Sequence, residues 1–125
     1  MRLLLDTHIF LWSVNDDRKL SKKARLLILN ASEVYVSSVS IWEAAIKTKL
    51  GKLDANINEL VSAISISGFI ELPLTSNHSA TLYQLPDLHR DPFDRILLAQ
   101  TISEPLRFLT ADKKLKGYSD LVELT

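Results

Sequence analysis

The chain has 125 residues and 46% hydrophobic content, enough for a single domain, residues 1–125, with a full core. Fifteen basic and fifteen acidic residues cancel, so a nucleic-acid partner would need locally segregated charge. The absence of cysteine excludes disulfides, thiolate zinc sites and cysteine nucleophiles and allows a cytoplasmic location, and no apolar run approaches the length of a membrane span.

The first half of the chain alternates between strand and helix patterns. Residues 3–5 form a continuous apolar run, typical of a strand that is buried on both faces in a parallel sheet. Helices are predicted next at residues 7–14 and 21–30, followed by a short β-rich run at 34–36. The last element of this half is a helix at residues 40–49, which ends near a glycine.

The second half continues the alternation. Its predicted elements are, in order, a helix at 58–67, a strand at 69–74, helices at 76–85 and 91–103, a strand at 107–109 and an edge strand at 121–124. Strands that alternate with helices predict an α/β fold. We expect a three-layer α/β/α sandwich around a central, mainly parallel sheet of about four or five strands.

Two acids follow predicted strands directly or closely. Asp6 comes immediately after the first strand, and Asp112 lies three residues after the strand at 107–109. In open parallel sheets, ligands bind beyond the carboxyl ends of the strands, at a switch point in strand order. Each acid also has a purely structural alternative, namely a helix N-cap for Asp6 and a solvated turn for Asp112.

A third acid, Glu43, belongs to the stretch Ser-Ile-Trp-Glu. This stretch matches the capping box, with Ser40 as N-cap and Glu43 three residues later. A carboxylate in the first turn of this helix would also lie near the carboxyl end of the preceding strand. Lys47, four residues on, is either an ordinary surface partner of Glu43 or a counterion to an acidic site.

The stretch HRDPFDRILLAQ contains two further acids, which its proline distinguishes. Residues before proline avoid helical geometry and proline favours the first helical position, so Asp91 is the predicted N-cap. Asp94 then lies in the first turn, anchored by the apolar run that follows. Its neighbour Arg95 is a candidate phosphate contact.

Together the four acids indicate a catalytic site more strongly than any one of them does alone. Carboxylates brought close to one another must be protonated, paired or metal-bound. Carboxylate oxygens are ligands that Mg²⁺ and Mn²⁺ prefer. A site of this kind at the strand ends fits metal-assisted phosphodiester hydrolysis. The acids concerned are Asp6, Glu43, Asp94 and Asp112.

Four segments carry a resemblance to a known family. LLLDTHIFLW, VSSVSIWEAAIK, HRDPFDRILLAQ and LTADKKL, in this order and spacing, resemble the PIN-domain nucleases, and within them the VapC-type toxins of bacterial toxin–antitoxin pairs. The resemblance runs over nearly the whole chain. It implies a PIN-like α/β/α sandwich, a Mg²⁺- or Mn²⁺-dependent endoribonuclease that cleaves RNA, and a homodimer held inactive by an antitoxin protein.

The resemblance also assigns roles to individual residues. The four acids match the family's acidic positions, with Asp112 at the most variable one, and are the expected metal ligands and catalytic residues. Asp91 lies outside this set and is at most a supporting residue beside the site. The Thr7 hydroxyl is the expected supporting group. Apart from the resemblance, the basic residues nearest the motifs are candidate RNA phosphate contacts, although each charge taken singly fits a solvated surface. They are Lys47, Arg90, Arg95, Lys113 and Lys114.

Other function classes stay open from sequence alone. A receiver-like phosphoacceptor domain shares the length, the fold class and an acidic pocket, but Asp6 is followed by Thr7 rather than by a second acid. A catalytically silent PIN-like binding module and a DNA substrate are two further alternatives. The two tryptophans, Trp12 and Trp42, are expected in the core or at a dimer surface.

Overall fold

The central sheet is parallel throughout the residues that the computed structural model describes, which are 1–87 and 91–125. Its five strands are β1 (Arg2–Leu5), β2 (Glu33–Ser37), β3 (Ile70–Leu72), β4 (Arg107–Thr110) and β5 (Val122–Leu124). They are ordered β3-β2-β1-β4-β5. This arrangement confirms the predicted parallel sheet, although β3 is shorter than the strand predicted at 69–74.

The helices follow the predicted alternation closely. They are α1 (Thr7–Val14), α2 (Lys22–Asn30), α3 (Ser38–Lys49), α4 (Ile57–Ile66), α5 (Ser76–Thr81) and α6 (Pro92–Ser103), with 3₁₀ segments at Leu82–Gln84 and Lys113–Tyr118. The helix predicted at 76–85 thus changes to 3₁₀ geometry after Thr81, and the 3₁₀ segment after β4 was not predicted. Within the described ranges, no helix is long and apolar enough to cross a membrane.

Side chains of β1 divide the interior into two cores, one on each face of the sheet. Leu3 and Leu5 pack into a core with α1, α2 and α4, whereas Leu4 packs into a second core with Leu97 and Leu98 of α6. This alternation follows from the two-residue period of a strand. Helices therefore cover both faces of the sheet, which confirms the predicted three-layer sandwich.

The start of α3 differs from the sequence prediction. Ser37, the last residue of β2, is itself the N-cap, and its side chain accepts a hydrogen bond from the backbone N–H of Val39 at 3.0 Å. The strand therefore passes into the helix without a loop, and Ser40 lies inside the first turn. The capping box of Ser40 and Glu43 is wrong, because Glu43 falls in the second turn of α3.

The strand order fixes where the carboxyl ends of the strands meet. The chain builds β2 and β3 on one side of β1 and then crosses to build β4 and β5 on the other. The order reverses between β1 and β4, whose registers pair Leu5 with Leu109. Residues that directly follow these two strands consequently lie side by side at the switch point, where open α/β sheets bind ligands.

Candidate active site

Asp6 is held at this switch point by the neighbouring strand. Its backbone N–H donates to the carbonyl of Leu109 at 2.9 Å, and its Oδ2 accepts a hydrogen bond from the Thr110 hydroxyl at 2.6 Å. The residue is only 5% exposed. Asp6 occupies the N-cap position of α1, but its side chain makes no capping hydrogen bond. The capping alternative therefore does not explain why an acid is buried there.

Thr110 connects Asp6 to a second acid. Its Oγ1 donates to Asp6 and accepts from the backbone N–H of Asp112 at 3.0 Å. Asp112 is half-buried and caps the 3₁₀ segment that follows, since its Oδ1 accepts from the backbone N–H of Lys114 at 3.0 Å. Sequence reasoning did not single out Thr110. The available signal was a hydroxyl at the end of a predicted strand, two residues before a predicted site acid.

Burial sets the protonation of Asp6. Removal from water raises the pKa of the Asp6 carboxyl group above its usual value. The Thr110 hydrogen bond and the charge of His8 lower that pKa, while the charge of Glu43 raises it further. Asp6 therefore releases its proton less readily than an exposed aspartate, and a cation nearby would favour its charged form.

Glu43 is the second buried acid of the site. It is 3% exposed, and its Oε2 accepts a hydrogen bond from the Lys47 ammonium group at 2.5 Å. The other carboxylate oxygen, Oε1, is also buried and has no hydrogen-bond partner in residues 1–87 and 91–125. A buried carboxylate oxygen without a partner is costly, which makes it a natural position for a cation.

Lys47 contacts Glu43 and is influenced by the acids of α6. Burial lowers the pKa of Lys47, but the Glu43 hydrogen bond and the charges of Glu43, Asp91 and Asp94 together raise it above its usual value. Lys47 is therefore a cation held among carboxylates. Its ion pair with Glu43 fits the predicted counterion role better than an ordinary surface pair.

The start of α6 confirms the predicted helix positions of its two acids. Asp91 is the N-cap, and its Oδ1 accepts hydrogen bonds from the backbone N–H groups of Phe93 at 2.9 Å and Asp94 at 3.2 Å. Pro92 takes the first helical position, so the half-buried Asp94 lies in the first turn. Asp91 is thus occupied by capping, whereas the Asp94 carboxylate is not needed for it.

The predicted basic contacts have different surroundings. Arg95 forms an ion pair with Asp87 at 2.5 Å, so one of its guanidinium nitrogens already has a partner. Lys113 and Lys114 are exposed at the start of the 3₁₀ segment beside Asp112. Arg90 lies outside the described residues, as does His89 of the same stretch.

A buried pair of hydroxyls joins the start of α1, directly after Asp6, to α3, which carries Glu43. Thr7 Oγ1 and Ser40 Oγ lie 2.8 Å apart, with Thr7 3% exposed and Ser40 1% exposed. The predicted supporting role of Thr7 is compatible with this contact. Ser40 was assigned to a cap in the sequence and instead ties α3 to the start of α1.

The four predicted acids therefore form two linked pairs. Asp6 and Asp112 share Thr110, while Glu43 and Asp94 both act on Lys47, and the charge of Glu43 reaches Asp6. In the described part of the chain, no three acidic or histidine side chains stand in an arrangement that could hold a metal ion. Beside the first pair lies a groove of about 260 Å³, lined by Asp6, His8, Trp12, Ala111 and Asp112.

Comparisons with known proteins agree on one family. The sequence model of the PIN domain matches residues 3–121. The chain is 27% identical over 118 residues to a protein named Ribonuclease VapC22 from Mycobacterium tuberculosis, covering 93% of this chain and 91% of that one.

Solved structures show the same fold at low sequence identity. VapBC2 from Rickettsia felis, bound to a promoter DNA fragment, matches with a TM-score of 0.70 and 18% identity, covering 100% of this chain and 98% of that chain. DNA-bound VapBC from Salmonella typhimurium matches with a TM-score of 0.69 and 15% identity, covering 98% and 97%.

Proposed function

Because the chain belongs to the PIN-domain family, we propose that it is a Mg²⁺- or Mn²⁺-dependent endoribonuclease that acts as the toxin of a toxin–antitoxin pair. The observation that carries this proposal is the buried Oε1 of Glu43, which has no hydrogen-bond partner among the described residues and belongs to a carboxylate whose charge raises the pKa of Asp6. The relative named Ribonuclease VapC22 supports the activity, and solved complexes of related fold support an antitoxin partner.

The donor set of the site suits a hard divalent cation. Asp6, Glu43 and Asp94 are the proposed ligands, directly or through water, and Asp112 completes the set or orients a water. All are carboxylates, as Mg²⁺ and Mn²⁺ prefer. A cation would also satisfy Glu43 Oε1 and favour the charged form of Asp6, whose pKa burial raises.

The chain's own groups would divide the catalytic work. A bound divalent ion supplies an acidified water and neutralises charge on the phosphate. Thr110 holds the carboxylates of Asp6 and the turn of Asp112 in a fixed relation, so their positions need no reorganisation during the reaction. Lys47 balances the negative charge around Glu43 and is placed to attract the RNA backbone.

The exposed lysines beside Asp112 are proposed to position the substrate. Lys113 and Lys114 project from the surface next to the site and would contact phosphates on either side of the cleaved bond. Such contacts increase affinity and fix the position of the RNA strand, but they do not recognise its base sequence. They also segregate positive charge near the site in a chain whose overall charge is zero.

The remaining proposals concern assembly and location. We expect a cognate antitoxin protein, a homodimer and a cytoplasmic location where RNA is available. Apolar side chains on α3 and at its C-cap offer surface for such contacts, since Trp42 is 53% exposed and the C-cap residue Leu50 is 63% exposed.

The topology disfavours the receiver-like alternative. Receiver domains place their first strand between the second and third, whereas β1 here lies between β2 and β4. Asp6 and Asp112 also lie at the switch point between β1 and β4, which is where this strand order predicts a ligand.

A cleavage assay tests the proposed function. The purified chain would be incubated with a panel of single-stranded RNAs and single-stranded DNA in Mg²⁺, Mn²⁺ or EDTA, beside the Asp94→Asn variant. We expect RNA cleavage that requires a divalent metal and is lost in the variant. Cleavage that persists in EDTA, or equal cleavage by a folded Asp94→Asn chain, would exclude this mechanism. Absence of cleavage of every RNA would favour the silent binding module.

A further inference from the structure

The groove beside Asp6 has an aromatic wall that the proposed chemistry does not use. His8 and Trp12 are one helical turn apart on α1, and their ring centroids lie 6.0 Å apart at an interplanar angle of 44°. Both line the groove of about 260 Å³ together with Asp6, Ala111 and Asp112. The lining of the groove therefore combines two aromatic rings with the two acids linked by Thr110.

Trp12 differs in position from an ordinary core tryptophan. Its ring packs against the core on the α1 face of the sheet, yet the side chain is only half-buried and also borders the groove. His8, on the same side of the helix, is exposed. The core thus fixes the indole in place while leaving part of it open beside the acids, as a rigid stacking surface requires.

The lining of the groove limits what can occupy it. Two carboxylates border the space, so a phosphate group would be repelled from it unless a cation intervened. A flat aromatic group meets no such penalty and gains stacking energy against indole and imidazole rings. Every nucleobase offers such a face, and base–aromatic stacking tolerates any sequence.

We propose that His8 and Trp12 form a nucleobase-binding subsite, in which a base next to the cleaved phosphate of the RNA stacks on Trp12. This inference depends on the proposed ribonuclease function and adds a substrate-binding residue to it. The acids would hold the phosphate through a bound divalent ion, the base enters the groove, and exposed lysines next to Asp112 contact the neighbouring backbone. Trp12 thereby adds affinity for the RNA strand without taking part in the chemical step.

The two tryptophans of the chain make a direct binding test feasible. Trp42→Phe in an Asp94→Asn background leaves Trp12 as the only indole, and Trp12→Phe in the same background leaves only Trp42. Each protein would be titrated in Mg²⁺ with ten-nucleotide single-stranded oligoadenylate and oligouridylate, and with a ribose-phosphate strand of equal length that lacks bases.

We expect the strands that carry bases to quench Trp12 fluorescence, and the abasic strand to leave it unchanged. Trp42, whose ring meets that of Phe93 edge to face at 5.2 Å between centroids, serves as the matched control and should not respond. Equal quenching of Trp12 by abasic and base-carrying strands, or no quenching of it by any strand, would overturn the subsite. This arm keeps the native Trp12, so it does not depend on whether a substitution there folds.

Steady-state kinetics of Trp12 variants test the subsite separately from the ribonuclease activity. With active-site acids intact, Trp12→Leu should raise KM for RNA about tenfold or more, the effect expected for one lost stacking contact. The kcat should stay unchanged, and Trp12→Phe should restore most of the affinity. An unchanged KM in folded Trp12→Leu, beside a wild-type chain that cleaves RNA, would contradict the subsite alone. A wild-type chain that cleaves no RNA would instead contradict the proposed function.

Discussion

The two halves of the acidic site are built by different means. The strand half, Asp6, Thr110 and Asp112, is fixed by backbone pairing of β1 with β4 and by one threonine hydroxyl. The helix half, Glu43, Lys47 and Asp94, depends on side chains from α3 and α6. Short side chains on paired strands lose little freedom when the site forms, whereas the long side chains of Glu43 and Lys47 lose more.

The two halves also balance negative charge differently. In the strand half, burial raises the pKa of Asp6, and a neutral hydroxyl and the charge of His8 only partly offset that rise. In the helix half, Lys47 provides a full positive charge to Glu43. The strand half should therefore gain most from a metal ion, while the helix half already carries a cation that would compete with it.

The largest expected effect follows from removing the charge of the strand half. Asp6→Asn keeps an oxygen that accepts from Thr110 but deletes the negative charge. We expect cleavage to fall by roughly a thousandfold, since metal-based stabilisation contributes several kcal/mol. Cleavage rates in Mg²⁺ and Mn²⁺ would be compared with Asp120→Asn, a change at an exposed acid before β5. Similar rates in both variants would remove Asp6 from the site.

The stability of Asp6→Asn without metal should stay the same or rise, although its cleavage activity falls. The folded pKa of Asp6 is raised, so its contribution to stability is fully present below its unfolded pKa and is lost as pH rises through its folded pKa. Asp6→Asn has no ionisable group at this position, so it does not lose stability in this way as pH rises. In EDTA at neutral pH, thermal unfolding of the variant should occur at the wild-type temperature or above it. Suppose instead that the variant unfolds at a lower temperature than wild type at neutral pH, with no such difference at acidic pH. That result would show that the Asp6 charge stabilises the fold.

The next largest effect on cleavage is expected in the helix half, at the start of α6. Asp94→Asn should reduce cleavage by roughly a hundredfold or more, because a proposed metal ligand is lost. Asp91→Asn should leave activity and stability close to wild type, since asparagine caps helices as well as aspartate does. Cleavage rates and thermal unfolding of both variants would be measured together. An equally severe loss of activity in a fully stable Asp91→Asn chain would contradict the division between cap and ligand.

A smaller effect is expected from removing the Thr110 hydroxyl, which links Asp6 to Asp112 in the strand half. Thr110→Val has nearly the same shape but removes the donor to Asp6 and the acceptor for the Asp112 backbone N–H. Unfolding should become easier by about 1–3 kcal/mol, and cleavage should weaken as the two acids lose their fixed relation. Thr110→Ser should restore activity more than stability. If Thr110→Val cleaves like wild type, the hydroxyl has no positioning role.

The sequence could predict the strand half well because its acids follow directly from strand positions. A buried apolar run that ends in Asp6 needs only the rule for parallel sheets to place that acid at an edge. The strand order, which brings Asp6 beside Thr110, is a long-range property and was not readable from local patterns. The link that Thr110 makes was therefore missed, although the sequence had singled out Asp112.

The helix half was predicted less accurately, for a physical reason. Ser37 and Ser40 are both good N-caps, and the choice between them depends on where β2 ends. The sheet extends β2 to Ser37, so the helix starts earlier than the local motif indicated and Glu43 moves one turn inward. By contrast, Pro92 fixes its helix start through its own ring, and the prediction for Asp91 was confirmed.

The smallest expected effect concerns the internal cation of the helix half. Lys47→Met keeps the apolar stem but leaves Glu43 without its partner, so metal-free stability should fall by about 1–2 kcal/mol. With that competing charge removed, Mn²⁺ should raise the unfolding temperature of the variant more than that of wild type, because ligands stabilise in proportion to their affinity. Lys52→Met, at an exposed lysine just after α3, is the matched control and should behave like wild type. A smaller metal-induced shift in Lys47→Met would show that Lys47 helps to form the metal site instead of competing with it.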